Sequence, residues 1–223
     1  HIVAGEEYRP NIYAKISVEG FYKGCEDYPF LLADSVSLAN LGGDFGVIGN
    51  EPAVSISKGR SYGIEFLAQQ RLADKIYGIF SYTYVKSEFT DKNDRYVASS
   101  WDNGHILNFT VGRKFVNDWE IGAKFRLQGG APYTPFDVAT SSQKDVWDVT
   151  GRGIPDYNRL NTERLGLSHG LDIRVDKTWY LGKMTLNVYL DIQNIYNFQS
   201  EGQPFLNVVS DANGMPIEDP SNP

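Results

Sequence analysis

Hydrophobic and polar residues alternate one for one along most of this chain, over stretches longer than an ordinary soluble sheet uses. In WEIGAKFRLQ (119–128), Trp119, Ile121, Ala123, Phe125 and Leu127 take one side, and Glu120, Lys124, Arg126 and Gln128 take the other. In 62–72, Tyr62, Ile64, Phe66, Ala68 and Leu72 alternate with Glu65, Gln69 and Arg71. In 171–179, Leu171, Ile173, Val175 and Trp179 alternate with Asp172, Arg174 and Asp176, and in 184–192 Met184, Leu186, Val188, Leu190 and Ile192 alternate with Thr185, Asn187, Tyr189 and Asp191. A period of two places successive side chains on opposite faces of a strand. It predicts strands at about 2–9, 12–24, 57–72, 75–89, 104–116, 118–130, 168–180 and 184–196, with a weaker ninth near 204–209. Helical periodicity is nearly absent.

The connections alternate as well. Short turns fall at Arg9-Pro10-Asn11, Ala73-Asp74, Val116-Asn117 and Leu181-Gly182-Lys183, while long polar loops fall at about 25–56, 90–103 and 131–167. Short turns at one end and long loops at the other are the up-and-down pattern of outer-membrane barrels. A soluble sandwich also alternates, but its strands are about five to seven residues long and its turns recur every 8–12 or so. The expected fold is therefore all-β, an antiparallel up-and-down transmembrane β-barrel of which the chain supplies eight or nine strands. Tyr62, Tyr77, Trp119, Trp179 and Tyr180 sit near strand ends, where a bilayer interface holds amphipathic rings.

Charge adds a constraint. The 223 residues carry 21 Lys and Arg against 28 Asp and Glu, a net −7. Two stretches, 26–54 and 200–223, hold acids (Glu26, Asp27, Asp34, Asp44 and Glu51; Glu201, Asp211, Glu218 and Asp219) and no base. With no basic cluster to neutralise phosphates, nucleic acid is excluded as a partner. Cys25 is the one cysteine, so no intrachain disulfide forms. No apolar run approaches the roughly 18 residues of a membrane helix, and no signal peptide is visible. The chain opens on His1 and closes in NGMPIEDPSNP, so both ends read as cut.

Candidate chemistry is sparse. His1, His105 and His169 are far apart, with no HExxH or CxxC, so no catalytic set, metal site or cofactor is expected. His105 and His169 precede strands in phase with their apolar residues, as interfacial side chains would. GGDFGVIG (42–49) precedes no helix and lacks a Lys-Ser or Lys-Thr ending, so it reads as a loop rather than a phosphate cradle. Lys15, Glu19, Glu65, Arg71, Glu120, Lys124, Arg126, Asp172, Arg174, Asp176 and Asp191 share the polar phase of their strands. Five bases against six acids is the balance expected of a wet interior or of a wall facing a plug. Solute recognition is expected in the long loops, where Tyr96, Trp101, Tyr133, Phe136, Trp147 and Tyr157 are the aromatic candidates.

Several stretches together resemble the C-terminal barrel portion of TonB-dependent outer-membrane receptors, particularly those of Bacteroidetes. They are GEEYRPNIYAKISVEGFYKGCEDYP (5–29), GRSYGIEFLAQQRL (59–72), GIFSYTYVKSEF (78–89), WDNGHILNFTVGRKF (101–115), WEIGAKFRLQGGAPYTP (119–135) and LDIRVDKTWYLGKMTLNVYLDIQNIYN (171–197). The resemblance covers most of the strands and rests on their order and spacing. It implies a barrel of 22 strands around an N-terminal plug, in the bacterial outer membrane, of which 1–223 is roughly the last third, without plug or final strand. It also implies the partners: the chain's own plug domain and remaining strands, the TonB complex acting through that plug, outer-membrane lipid, and in some relatives a surface lipoprotein lid. The implied activity is uptake of a scarce solute (iron chelate, cobalamin, oligosaccharide or peptide) rather than an enzyme's turnover. Two other classes fit the same alternation: a passive porin or adhesin barrel, and a soluble all-β binding module whose oily faces pair with each other.

Overall fold

The computed structural model describes residues 1–42, 50–206, 208–210, 212 and 216–218. Its strands are β1 (Ile2–Asn11), β2 (Ala14–Leu31), β3 (Val36–Ser37), β4 (Ala53–Ala73), β5 (Ile76–Thr90), β6 (Tyr96–Ala98), β7 (Gly104–Lys114), β8 (Trp119–Gln128), β9 (Pro132–Tyr133), β10 (Glu163–Arg164), β11 (Ser168–Leu181), β12 (Met184–Ile192), β13 (Val208–Ser210) and β14 (Pro216–Glu218). Two short helices, α1 (Val138–Ser141) and α2 (Lys144–Thr150), lie between β9 and β10.

Eight long strands form one antiparallel wall in the order β1-β2-β4-β5-β7-β8-β11-β12, with β3 added to β2 and β6 added to β5. Each wall strand pairs with the next long strand in the chain, and the sheet is open, with β1 and β12 at its edges. The wall is thus an up-and-down meander with the architecture of a transmembrane barrel.

The short connections are true hairpin turns. Asn11 Oδ1 accepts from the backbone N–H groups of Tyr13 and Ala14 at 2.8 and 2.9 Å, closing the first turn around Ile12-Tyr13. Asp74 and Lys75 adopt φ of 47° and 67°, the left-handed geometry that matches strand twist in a two-residue hairpin. Gly182, at φ 66°, does the same for β11–β12.

Register carries one face through the whole wall. Glu19 lies opposite Glu65, and Glu65 opposite Thr83. Asn108 lies opposite Arg126, Lys124 opposite Asp172, and Arg174 opposite Asp191. The apolar face is continuous in the same way: Val18, Phe66 and Tyr82 align across β2, β4 and β5, and Phe109, Phe125 and Leu171 align across β7, β8 and β11.

Three expectations change. Strands β2 and β4 run on to Leu31 and back to Ala53, so the first long loop is shorter than 25–56, and bulges near Tyr28 carry the ladder past the turn-prone Glu26-Asp27. The ninth strand near 204–209 does not join the wall among the described residues; β13 pairs only with β14. Its approach is broken by an Asn194-centred turn, in which Asn194 bonds Phe198 N and O at 2.9 Å, and by Pro204, which has no N–H for the ladder. Tyr77 and Tyr180 occupy the polar face rather than an interfacial position on the apolar one, because they lie opposite Gly112 and Thr185 in the polar register.

Candidate solute-recognition site

The loop end of the wall is where this chain packs. β4 is 21 residues long, about 70 Å at strand rise, more than twice what a bilayer core of about 30 Å requires. Its loop-side half supports a layer of folded loops. The buried apolar residues Phe30, Leu31, Val36, Ala39, Phe89 and Leu160 all belong to this layer. Val36 and Ser37 fold back onto Leu31 and Phe30 through a turn with Ser35 at φ 56°. Phe89 lies flat over Gly59, where a Cβ would stand 2.3 Å from its ring, and packs against Tyr28 at 4.8 Å between centroids.

Each loop has its own local device. In the β5–β6 hairpin, Asp91 accepts from the N–H groups of Asn93 and Arg95 at 2.8 and 2.9 Å and from the Arg95 guanidinium at 2.8 Å. Burial works against the Asp91 charge, but these donors outweigh it and hold the carboxyl below its usual range. In the last loop Asp137 caps α1, accepting from Thr140 Oγ1 at 2.5 Å and Thr140 N at 3.0 Å, which lowers its pKa. Helix α2 ends at Gly151, at φ 60°.

Three contacts then tie the loops into one body. Asn161 Nδ2 donates to Asn40 O at 3.0 Å and to Ala98 O at 2.8 Å, so one amide on the third loop satisfies a carbonyl on each of the other two. Asp102, 1% exposed, accepts from Ser87 N at 3.1 Å and forms an ion pair with Arg164, whose guanidinium also donates to Gly130 O at 3.1 Å. Tyr157 Oη reaches Asp34 Oδ2 at 3.4 Å, and burial, together with that carboxylate, pushes its pKa up to about 12.

The six aromatic candidates do not form one cluster. Tyr96 lies under the Arg60 guanidinium at 4.1 Å, Trp101 is about half exposed, and Phe136 fills the space beside Gly153 and bridges to Pro155. Tyr133 stands on β9 opposite Glu163, Trp147 on α2, and Tyr157 against the first loop. The residues that organise the layer, Asn40, Asp102, Asn161 and Arg164, escape a reading of the sequence. Their partners are backbone carbonyls or charges up to 121 positions away, and no local spacing marks them. Of GGDFGVIG only Gly42, at φ 100°, lies among the described residues.

On the polar face the predicted charges do meet. Arg126 pairs with Asp172 at 3.1 Å, Arg174 with Asp176 at 2.7 Å, and Lys15 with Glu7 at 3.1 Å. Tyr77 crosses Gly112, where a Cβ would stand 2.2 Å from its ring, to donate to Glu120 at 2.5 Å. Asp172 also accepts from Asn194 N at 2.9 Å, which anchors the exit of β12. A cavity of about 320 Å³ lies at the loop-ward end of this face, lined among others by Asn108, Arg126, Gln128, Ser168 and Asn194. Glu19 and Glu65 face each other exposed, and Arg71 lines a second groove with Tyr77 and Lys114. His105 and His169 lie at the loop ends of their strands on the apolar face, bonded to Tyr82 Oη at 2.8 Å and Tyr196 Oη at 2.7 Å. Among the described residues no group of three or more His, Cys, Asp or Glu is placed to hold a metal ion.

A meander of long strands with one oily and one charged face, short turns at one end and a packed loop layer at the other, is the fold of an arc of an up-and-down β-barrel wall. Two solved structures share it: the FrpB iron transporter from Neisseria meningitidis in its F3-3 variant (TM-score 0.56, 18% identity) and in the apoprotein form of its F5-1 variant (TM-score 0.57, 18% identity). The likeness covers 96% and 97% of this chain but only 28% and 29% of those chains. No family model and no curated protein matches the chain.

Proposed function

We propose that this chain forms wall and extracellular loops of an outer-membrane, TonB-dependent active transporter for a scarce solute. The observation that carries the reading is the pairing of an up-and-down wall with a loop layer locked at one end. The likeness of nearly the whole chain to part of an iron transporter's barrel supports it, and makes an iron chelate the first solute to test. In this reading the polar face, with Arg126, Asp172, Arg174 and Asp176, lines the lumen and meets the plug. The 320 Å³ cavity beside Arg126 is then a polar station below the loops. The apolar face meets lipid. The likeness to Bacteroidetes receptors rests on the sequence stretches alone, whereas the structural neighbours come from Neisseria meningitidis.

The direct test is uptake of radiolabelled iron chelates by cells carrying or lacking the full-length protein, with and without TonB. Accumulation that needs both supports the reading. Uptake that needs the protein but not TonB makes it a passive barrel, and no uptake of any iron chelate moves the solute to cobalamin, oligosaccharide or peptide.

A further inference from the structure

On the polar face, the loop-ward ends of β7, β8 and β11 carry three aligned rows: Ile106, Gln128 and Ser168; Asn108, Arg126 and Gly170; Thr110, Lys124 and Asp172. The middle row has no side chain on β11. Gly170 therefore leaves a hollow between Ser168 and Asp172, where a Cβ would meet nothing nearer than Arg126 Nη2 at 3.9 Å. The segment after β12 forms the far side of this hollow. Asn194 N donates to Asp172 Oδ1 at 2.9 Å, Ile195 N donates to Leu171 O at 2.9 Å, and the Ser168 and Ser200 hydroxyls lie 2.8 Å apart. Together they enclose the cavity of about 320 Å³, at the small end of the roughly 300–1,000 Å³ of ligand pockets.

Among the described residues no carboxylate lines this cavity. Asp172, at its edge, has both oxygens engaged, Oδ1 by Asn194 N and Oδ2 by Arg126 Nη2 at 3.1 Å, and Glu201 is turned to Gly166 N. The donors are in the opposite condition. Arg126 gives one of its five N–H groups to Asp172, and no other side-chain hydrogen bond among the described residues engages it or the amides of Asn108 and Gln128. Charge alone does not choose the ligand. Lys124 and Arg126 are balanced by Asp172 and Glu201, and Arg174, one row turn-ward, faces both Asp176 and Asp191. The direction of the donors does choose it. A guanidinium fork takes a carboxylate through two parallel bonds, and the amides of Asn108 beside it and Gln128 one row loop-ward suit hydroxyl or carbonyl oxygens. Phe198, the one phenyl ring in the lining, lies against His169 at 3.8 Å between centroids, so the cavity offers hydrogen-bond donors in place of a stacking platform.

We propose that this cavity binds a hydroxycarboxylate, the ligand type of a citrate-like iron chelate, with Arg126 on a carboxylate and Asn108 and Gln128 on neighbouring hydroxyl and carbonyl oxygens. This rests on the reading of the polar face as the lumen of a solute transporter. The small volume admits a compact acid or one arm of a larger chelate.

The test is retention of radiolabelled ferric citrate by the full-length protein in mild detergent, against a ferric tris-catecholate and the neutral sugar maltotriose. Ferric citrate should be retained in preference to both. Its retention should fall roughly tenfold or more in N108A/Q128A, which leaves the Arg126–Asp172 pair intact, and in Arg126→Lys, which keeps the charge and loses the fork. Arg113→Ala, on the apolar face, should keep it. Ferric citrate held equally by the parent and by N108A/Q128A and Arg126→Lys, or preferential retention of the catecholate or the sugar, overturns the site while leaving the transporter reading in place. Retention of none of the three by a protein whose uptake of every iron chelate is also independent of TonB overturns both.

Discussion

In the wall, Leu186, Val188 and Leu190 stand 49, 52 and 62% exposed, while in the loop layer Val36, Ala39 and Leu160 are 1, 0 and 5% exposed. The wall obeys a pattern legible over ten residues, yet it buries almost nothing within this chain. The loop layer follows no pattern and holds nearly all of the chain's own core. In the proposed reading the wall's apolar side chains meet lipid, since an exposed oily face of eight strands is not tolerated in water. The loop layer stabilises itself as a small globular protein does, with buried side chains and polar groups that are satisfied apart from Ser37 Oγ and Asn40 Oδ1 among the described residues.

Mutations should separate the two regions. The largest effect is expected from Arg164→Met, which leaves the Asp102 carboxylate buried without its cation. Such a loss costs about 3–5 kcal/mol. Hydrogen exchange should quicken across 99–103 and 129–134 while β7 and β8 below stay protected. Asn161→Ala should cost about 1–3 kcal/mol by orphaning the buried Asn40 carbonyl and the half-buried Ala98 carbonyl, with faster exchange at 38–41 and 96–99. If either variant unfolds the wall as well, the division into two regions fails.

The pH response of the loops sharpens the same contrast. Tyr157 has a folded pKa of about 12 against an ordinary 10.0, so its contribution to loop docking is complete below pH 10 and is lost as pH rises through the folded value. A phenolate absorbance titration should show one tyrosine ionising late, and Asp34→Asn should bring it earlier. Asp91 works in the opposite sense. Its carboxyl is held below 3.8, so the hairpin is fully stabilised above that value and loosens as pH falls through the lower folded one. The smallest effect on stability belongs to the wall: Arg126→Ala removes an ion pair whose arginine is 52% exposed, a loss of about 0–1 kcal/mol. Its consequence should appear in uptake instead, and uptake unchanged in both Arg126→Ala and Asp172→Ala would remove the polar face from the transport path.

How much of this was legible follows from the same division. Alternation located all eight wall strands and placed Lys124, Arg126, Asp172 and Arg174 on one face, because a period of two is a local property. Faces failed only at strand ends, where Tyr77 and Tyr180 resemble interfacial rings by position while the register turns them to the polar side. From the sequence the loop layer reads only as polar connection. Its helices are 4 and 7 residues long, too short for periodicity, although Asp137 before α1 and Gly151 after α2 are start and stop signals. Asn161 and Asn40 left no trace, since bonds to distant carbonyls have no sequence signature.

Strand β8 tests most directly whether the two faces of the wall meet different solvents. In the full-length protein with Cys25→Ser, single cysteines at Ala123, Lys124, Phe125 and Arg126 would each carry a spin label in a lipid bilayer. Alternation is expected: labels at 123 and 125 accessible to oxygen dissolved in lipid, labels at 124 and 126 accessible to a water-soluble nickel complex. Labels at 123 and 125 shielded from oxygen and from the nickel complex alike would mean that the oily face packs against protein, and would contradict the membrane wall.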